Sequence, residues 1–305
     1  MMQKIDNILK AYEGETIGLK ANLYKILNHG ALAGTGKMII LATDQGFEHG
    51  PDKMFSSNLP AYDPHYFYHL AYTYGLNGLA APLGVIESGC ETYLGKLPTI
   101  LKLNSSNNLI QKDKSPDQAI TASVKDAVRL GCTAIGFTIY PGSDSFLDQL
   151  EELRDITSQG RAYGLPTIVW AYARGGALLK EAETALDVIS YGAHMACLAG
   201  AHIVKVKLPT DYLALKSAKE PFLASQIPYK SLTERVAHIV RSCFTGRRMV
   251  IFSGGETKND DAFLNEITAI KDGHGFGSIV GRNFFQRKEE DAAKIISAIQ
   301  KIYLS

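Results

Sequence analysis

Residues 133–172 read TAIGFTIYPGSDSFLDQLEELRDITSQGRAYGLPTIVWAY. Two short apolar runs, Thr133–Ile139 and Thr167–Tyr172, bracket a segment in which Phe146, Leu147, Leu150, Leu153 and Ile156 return at helical spacing. Runs this short, rich in Ile, Val and Thr, are the mark of strands buried on both faces. Strand, helix and strand in succession make the repeating unit of a parallel sheet. The rhythm extends in both directions from this stretch. Upstream lie Met38–Thr43, Gly78–Pro82 and Thr99–Leu103; downstream lie His202–Leu208, Met249–Ser253 and Gly277–Val280. Ser115-Pro116-Asp117-Gln118 reads as a helix start, with Ile120, Val124, Ala127 and Val128 on its apolar face and Gly131 as its stop. Ala182, Leu186, Ile189 and Ala193 repeat the spacing, and a last helix from about Glu289 turns Ala292, Ile296, Ile299 and Ile302 inward. Eight strands alternating with helices predict an α/β fold, a (β/α)8 TIM barrel. A doubly wound open sheet has the same pattern, because strand order is not written in sequence. No linker-like composition interrupts the 305 residues, so one domain is expected over 1–305, with Met1–Lys37 as an N-terminal cap and Asp211–Lys230 as an enlarged loop after strand six.

Composition narrows the class. Apolar residues make up 46% and charged residues 21%, enough for a large core and too ordered a mixture for a disordered chain. With 32 basic and 31 acidic side chains the formal charge is +1, which argues against a nucleic-acid partner held by a basic face. No run of about 18 apolar residues predicts a membrane span. The four cysteines, Cys90, Cys132, Cys197 and Cys243, form no CxxC pair, and most stand among apolar or small residues as free thiols do in a reducing compartment. Without a secretory leader pattern at the start of the chain, the cytoplasm is the expected location.

In a barrel of this kind, chemistry gathers at the C-terminal ends of the strands. Strand six, Ala201-His202-Ile203-Val204-Lys205-Val206-Lys207-Leu208, carries the sharpest signal there. Lys205 and Lys207 are two apart and share one face of a strand that reads as buried. A desolvated lysine beside a second cation has a lowered pKa and becomes a nucleophile toward a carbonyl. A pair neutralised by carboxylates such as Asp44 or Glu256 is the structural alternative. On strand five, Trp170, Tyr172 and Arg174 alternate with alanines and point the same way, and Gly175-Gly176 leaves room for a ligand. Strand one ends in Asp44-Gln45-Gly46-Phe47-Glu48-His49-Gly50-Pro51. Asp44, Glu48 and His49 there suit either a catalytic cluster or a turn, and a metal would need further ligands that spacing alone does not supply. Strands seven and eight end in Ser253-Gly254-Gly255 and Gly281-Arg282, the usual phosphate-binding position of such barrels. The aromatic run His65–His69 reads as a packed helix. No Walker A lysine motif and no G-x-G-x-x-G after a strand point to a nucleotide.

With these residues in place, the chain resembles the archaeal-type class I fructose-bisphosphate aldolases, a family also found in bacteria. The resemblance runs through Leu41–Pro51, Gly136–Ser143, Trp170-x-Tyr172-x-Arg174-Gly175-Gly176, Lys205-Val206-Lys207, Ser253-Gly254-Gly255 and Val280–Asn283. It implies a metal-independent, cofactor-free aldolase of glycolysis or gluconeogenesis that acts on sugar phosphates and assembles as a homo-oligomer. It also implies roles: Lys205 as the Schiff-base residue, Lys207 as its cationic neighbour, Tyr172 as general acid–base with Trp170 and Arg174 beside it, and Asp44 orienting the lysine or the substrate hydroxyls. Ser253, Gly254, Gly255, Gly281 and Arg282 would hold the ketose C1 phosphate. The chain departs from the pattern at Gln45, where the family has histidine, and at Ala171 and Ala173 in place of serine and proline. Leu208-Pro209-Thr210 replaces a tyrosine-containing segment, which bears on the aldehyde side of the substrate. Other readings of the same residues are a related Schiff-base lyase or transferase on another ketose phosphate, a non-catalytic sugar-phosphate-binding barrel, and a metal-dependent aldolase using Glu48 and His49.

Overall fold

The computed structural model describes residues 2–93, 95–109, 115–253 and 259–305. Eight strands close into a barrel: β1 (Met38–Ala42), β2 (Gly78–Ala81), β3 (Thr99–Lys102), β4 (Ala134–Ile139), β5 (Thr167–Ala171), β6 (Ile203–Lys207), β7 (Met249–Ser253) and β8 (Gly277–Val280). They stand around the barrel in chain order, every neighbouring pair is parallel, and β8 closes onto β1 with Gly277 opposite Met38. All eight coincide with the predicted runs to within a residue or two at each end. The closed barrel excludes the open doubly wound sheet.

Side-chain alternation divides the core in two. Ile39, Leu41, Leu79, Leu101, Ile135, Phe137, Val169, Val204, Val206, Val250 and Phe252 face outward and pack under the surrounding helices. Ile40, Ala80, Ile100, Ala134, Ile168, Trp170, Ile203, Met249, Ile251 and Ile279 face the barrel axis. Burial on both faces is why these strands lack polar alternation in the sequence. At β8, backbone rather than side chain sets the fit. A Cβ on Gly277, whose φ is +148°, would collide with the Met38 carbonyl, so only glycine permits the closing contact.

The N-terminal segment forms helices Met2–Lys10 and Ile17–Leu27, and these stopper one end of the barrel. Ile5, Leu19, Leu23, Ile26 and Leu27 are buried in the same cluster as the inward strand residues, and each such side chain contributes about 1.5–3 kcal/mol on burial. The Tyr12 hydroxyl donates to the His202 carbonyl at 2.6 Å and accepts from the Met249 amide at 3.2 Å, tying the cap to β6 and β7. Asn77 pins it to β1, its side chain accepting from Ile39 N at 2.8 Å and donating to the carbonyls of Ile26 and His29.

Most predicted helices are present: Phe146–Ala162, Leu186–Leu198 and Glu289–Leu304, with the aromatic run inside Pro64–Thr73. One start is displaced. Ser115–Gln118 opens no helix; Ala119–Ile120 instead pairs antiparallel with Asn104–Ser105, and the helix covers Val124–Arg129. Its capping box is Ser123 with Asp126. The earlier tetrad is taken for tertiary contacts: the Ser115 hydroxyl bonds Ser143 Oγ at 3.0 Å and accepts from Asp144 N at 2.9 Å. Ile120 and Val128, expected on a buried face, are therefore exposed. The enlarged loop after β6 contains a helix of its own, Lys216–Ala224. Among the described residues no helix is long and apolar enough to cross a membrane.

Candidate active site

At the C-terminal mouth of the barrel one pocket is lined by Asp44, Gln45, Glu48, His49, Tyr172, Arg174, Lys205, Lys207, Ser253, Gly281 and Arg282, together with Asn283. The described sequence-predicted residues therefore converge, Trp170 excepted. Trp170 sits one layer deeper and is 1% exposed. Gly254 and Gly255 lie outside the described residues, as does Glu256.

Backbone pairing explains the convergence. Tyr172 and Arg174 follow β5, yet Tyr172 N bonds the Ile139 carbonyl at 3.1 Å and Arg174 N the Pro141 carbonyl at 3.0 Å. The parallel ladder thus runs past the strand end and keeps Trp170, Tyr172 and Arg174 on the inner side. Trp170 has the space it needs because β4 offers Gly136, where a Cβ would come 2.6 Å from the indole ring. On β6, Lys205 pairs across to Trp170 and to Ile251, so its side chain also enters the barrel.

The Lys205 ammonium lies 4.8 Å from the Tyr172 ring centroid and 5.5 Å from that of Trp170. Burial brings its pKa down to about 8; Asp44 and Glu48 oppose the shift, and Arg174 and Arg282 add to it. Burial, and then the nearby Asp44 carboxylate, push the Tyr172 phenol well above its ordinary value, while its hydrogen bond with Ser253 works the other way. Asp44 heads the short helix Gln45–His49, but its side chain makes no capping bond and is left to the pocket. Gln45 packs against Gly281, where a Cβ would come 2.7 Å from its Nε2.

Lys207 shares the face of Lys205 but takes a different partner. Its Nζ is 3.4 Å from Glu183 Oε2, at the rim, and burial followed by the Arg174 charge lowers its pKa. Neither lysine is paired directly with Asp44: Lys207 goes to Glu183, and among the described residues nothing hydrogen-bonds to Lys205 Nζ. Arg174 donates to Glu48 Oε1 at 3.2 Å, and its guanidinium lies 5.1 Å from the Tyr140 ring centroid. Burial opposes the Glu48 carboxylate, but Arg174 and His49 outweigh it and hold its pKa below the usual value. His49 Nδ1 is 2.7 Å from Asn108 Nδ2. Glu48 and His49 are thus engaged by an arginine and an amide, and among the described residues no three His, Cys, Asp or Glu side chains form a metal-binding group.

Two participants went unnoticed in the sequence. Glu183, in the turn Lys180–Thr184, holds Lys207 and is nearly buried. Lys102, the last residue of β3, is 2% exposed and points into the barrel beside Trp170. Its signal was present: in Thr99-Ile100-Leu101-Lys102-Leu103 the lysine falls on the same inward parity as Ile100.

Comparison with known proteins agrees with this geometry. The family described as "DeoC/LacD family aldolase" matches residues 38–287. A fructose-bisphosphate aldolase class 1 of Thermoproteus tenax is 34% identical over 268 residues, covering 88% of this chain and 89% of the relative. A probable fructose-bisphosphate aldolase class 1 of Chlamydia muridarum is 31% identical over 293 residues, covering 93% and 84%. Among solved structures, an archaeal fructose-1,6-bisphosphate aldolase with its catalytic lysine covalently bound to the carbinolamine intermediate superposes with a TM-score of 0.77 at 32% identity, covering 92% of this chain and 98% of that one. From its barrel, its interior lysines and these relatives, the chain belongs to the DeoC/LacD aldolase family, in its archaeal-type class I fructose-bisphosphate aldolase branch.

Proposed function

We propose that this protein is a class I aldolase that cleaves fructose 1,6-bisphosphate reversibly into dihydroxyacetone phosphate and glyceraldehyde 3-phosphate through a Schiff base on Lys205. The observation that carries the reading is the Lys205 amine: buried at the barrel mouth, without a hydrogen-bonding partner among the described residues, and packed against Tyr172 at 4.8 Å with a pKa near 8. A useful fraction of such an amine is neutral at physiological pH, and it attacks the C2 carbonyl to form a carbinolamine. Tyr172, its pKa raised by burial, starts protonated and donates to the departing hydroxyl, leaving water and a cationic iminium. The phenolate so formed takes the proton of the C4 hydroxyl. The C3–C4 electron pair moves into a C2–C3 double bond, the iminium π pair becomes the nitrogen lone pair, and glyceraldehyde 3-phosphate leaves. Protonation of the enamine at C3 and hydrolysis release dihydroxyacetone phosphate and return the lysine.

Ser253, at the end of β7, and Gly281 and Arg282, after β8, line the pocket with Lys205 and suit the C1 phosphate, with Gly254 and Gly255 assigned to the same group from the sequence. Arg174, after β5, and Lys207, at the end of β6, line the same pocket and suit the aldehyde-side phosphate, and Asp44 is assigned to the substrate hydroxyls. No cofactor enters any step. The reading includes one domain over 1–305, a homo-oligomer and a cytoplasmic location, the last supported by four free cysteines. Light scattering measures the assembly.

The test is reductive trapping. Fructose 1,6-bisphosphate with borohydride should leave a three-carbon phosphate adduct on Lys205, located by peptide mass spectrometry. No adduct with this substrate or with dihydroxyacetone phosphate alone would rule out the mechanism, and label on Lys207 would reassign the nucleophile.

A further inference from the structure

The reaction just described makes no use of Lys102, although that residue is more deeply buried than Lys205, 2% exposed against 5%. Its Nζ donates to the Asn104 carbonyl, to Asn104 Oδ1 at 2.8 Å and to Gln118 Oε1 at 3.4 Å. These three oxygens match the three N–H bonds of an ammonium, and a neutral amine would leave one of them unmet. The acceptors are themselves held. Asn104 exchanges bonds with Thr138, accepting from its amide and donating to its carbonyl at 2.8 Å each, and Gln118 Nε2 donates to the Tyr140 hydroxyl at 2.6 Å. Lys205 has the opposite surroundings: two ring faces and no hydrogen-bonding oxygen among the described residues. Both ammonium groups lie against the same indole, 5.7 Å and 5.5 Å from its centroid.

Resting on the Schiff-base reading above, we propose that Lys102 is a positioning residue: a fixed interior cation whose field keeps the Lys205 nitrogen neutral before attack and draws the iminium toward the neutral enamine. Two like charges in one low-dielectric site favour a single proton, and the oxygen cage decides that Lys102 holds it. The same field acts again at bond cleavage. Turning the cationic iminium into a neutral enamine removes a positive charge beside Lys102, so the transition state is stabilised relative to the iminium. Burial lowers both lysines to about 8 and Asp44 opposes the shift on each; the Lys205 charge adds to it at Lys102, and Arg174 and Arg282 add to it at Lys205, so it is the oxygen cage that distinguishes the two. The other charged or titratable groups facing Lys205 are Glu48 after β1, Tyr172 and Arg174 after β5, Lys207 on its own strand and Arg282 after β8.

The experiment measures the rate of borohydride trapping of dihydroxyacetone phosphate against pH in the full-length protein and in Lys102→Met, Lys102→Gln and Lys102→Arg. In the two neutral variants the limb on which trapping rises with pH should move up by about one unit, a loss of about tenfold at pH 7, and arginine should restore most of it. A limb that stays in place in a folded neutral variant, whatever happens to the overall rate, would overturn the proposal and leave Lys102 a structural residue. If the variants do not fold, an isotope-labelled lysine NMR titration of the unmodified protein decides. Lys102 retaining its proton to higher pH than Lys205 supports the proposal, and the reverse order refutes it. Failure of the unmodified protein to trap at Lys205 would instead count against the aldolase reading itself.

Discussion

The two mouths of the barrel both bury ionisable groups, and they treat them differently. At the N-terminal mouth Arg161 Nε donates to both oxygens of Glu15 at 3.1 Å, and Glu15 in turn stands 3.1 Å from the fully buried His202 ring, whose Nδ1 accepts from the Thr167 amide at 2.9 Å. His202 first and then Arg161 draw the Glu15 pKa down to about 2, so the carboxylate there is stabilised by its neighbours, while burial keeps the His202 pKa below its ordinary value. At the C-terminal mouth the Lys205 ammonium lies against two aromatic rings, with no hydrogen-bonding partner among the described residues, and burial disfavours its charged form. Partnered burial yields stability, whereas unpartnered burial yields reactivity. The contrast is carried by neighbours and not by depth, since His202 and Lys205 are both buried and both lie on the sixth strand or next to it.

The strongest attempt to break this contrast removes the unpartnered amine. Lys205→Met should lower kcat/KM by about 10⁴-fold or more while leaving the thermal midpoint unchanged or raised, because a buried amine without oxygen partners does little for the fold. A large stability loss in that variant would mean that the lysine is structural after all. Next comes Tyr172→Phe, which removes the proton shuttle and keeps the ring against Lys205. Its kcat should fall by about 10²–10⁴-fold while borohydride trapping still finds the lysine. The unmodified enzyme should gain activity as pH rises toward 8, because the neutral amine is the attacking form.

The residues at issue in these tests differ in how legible they were. Lys205 and Tyr172 stood out because charge and hydroxyl interrupt apolar strands at two-residue spacing, a periodicity visible within one segment. The eight strands were legible for the same reason. What escaped were relations between segments. Lys102 owes its importance to Gln118 and Trp170, Lys207 owes its setting to Glu183, and none of these pairs lies within one strand. Ser115–Gln118 was misread because its polar side chains bond across to the loop after β4, a contact local spacing cannot reveal.

A smaller effect should follow from loosening the rim. Lys207 and Glu183 form an ion pair in which the lysine is part exposed, so neither mouth's rule applies to it fully. Lys207→Met should raise KM for the bisphosphate by about tenfold with kcat little changed, and should matter less for a ketose carrying only the C1 phosphate. Equal losses on both substrates would move Lys207 from aldehyde-side binding to the reaction centre.

The smallest catalytic effect is expected at the opposite mouth, where the contrast is sharpest. Tyr12→Phe deletes the hydroxyl that joins the His202 carbonyl to the Met249 amide, and both are buried. The loss should be about 1–3 kcal/mol of stability by denaturant titration, because an amide and a carbonyl are left without their partner in the interior. Its kcat and the pH dependence of trapping should match the unmodified protein. Acid should act on the same end. The Glu15 pKa is depressed to about 2 in the folded protein, so its contribution is present above the ordinary glutamate range and is lost as pH falls from there through about 2. A Glu15→Gln variant should therefore start less stable at neutral pH and lose less on acidification. If it also changed the trapping profile, the two mouths would be coupled through β6, and the separation between a stabilising end and a reactive end would fail.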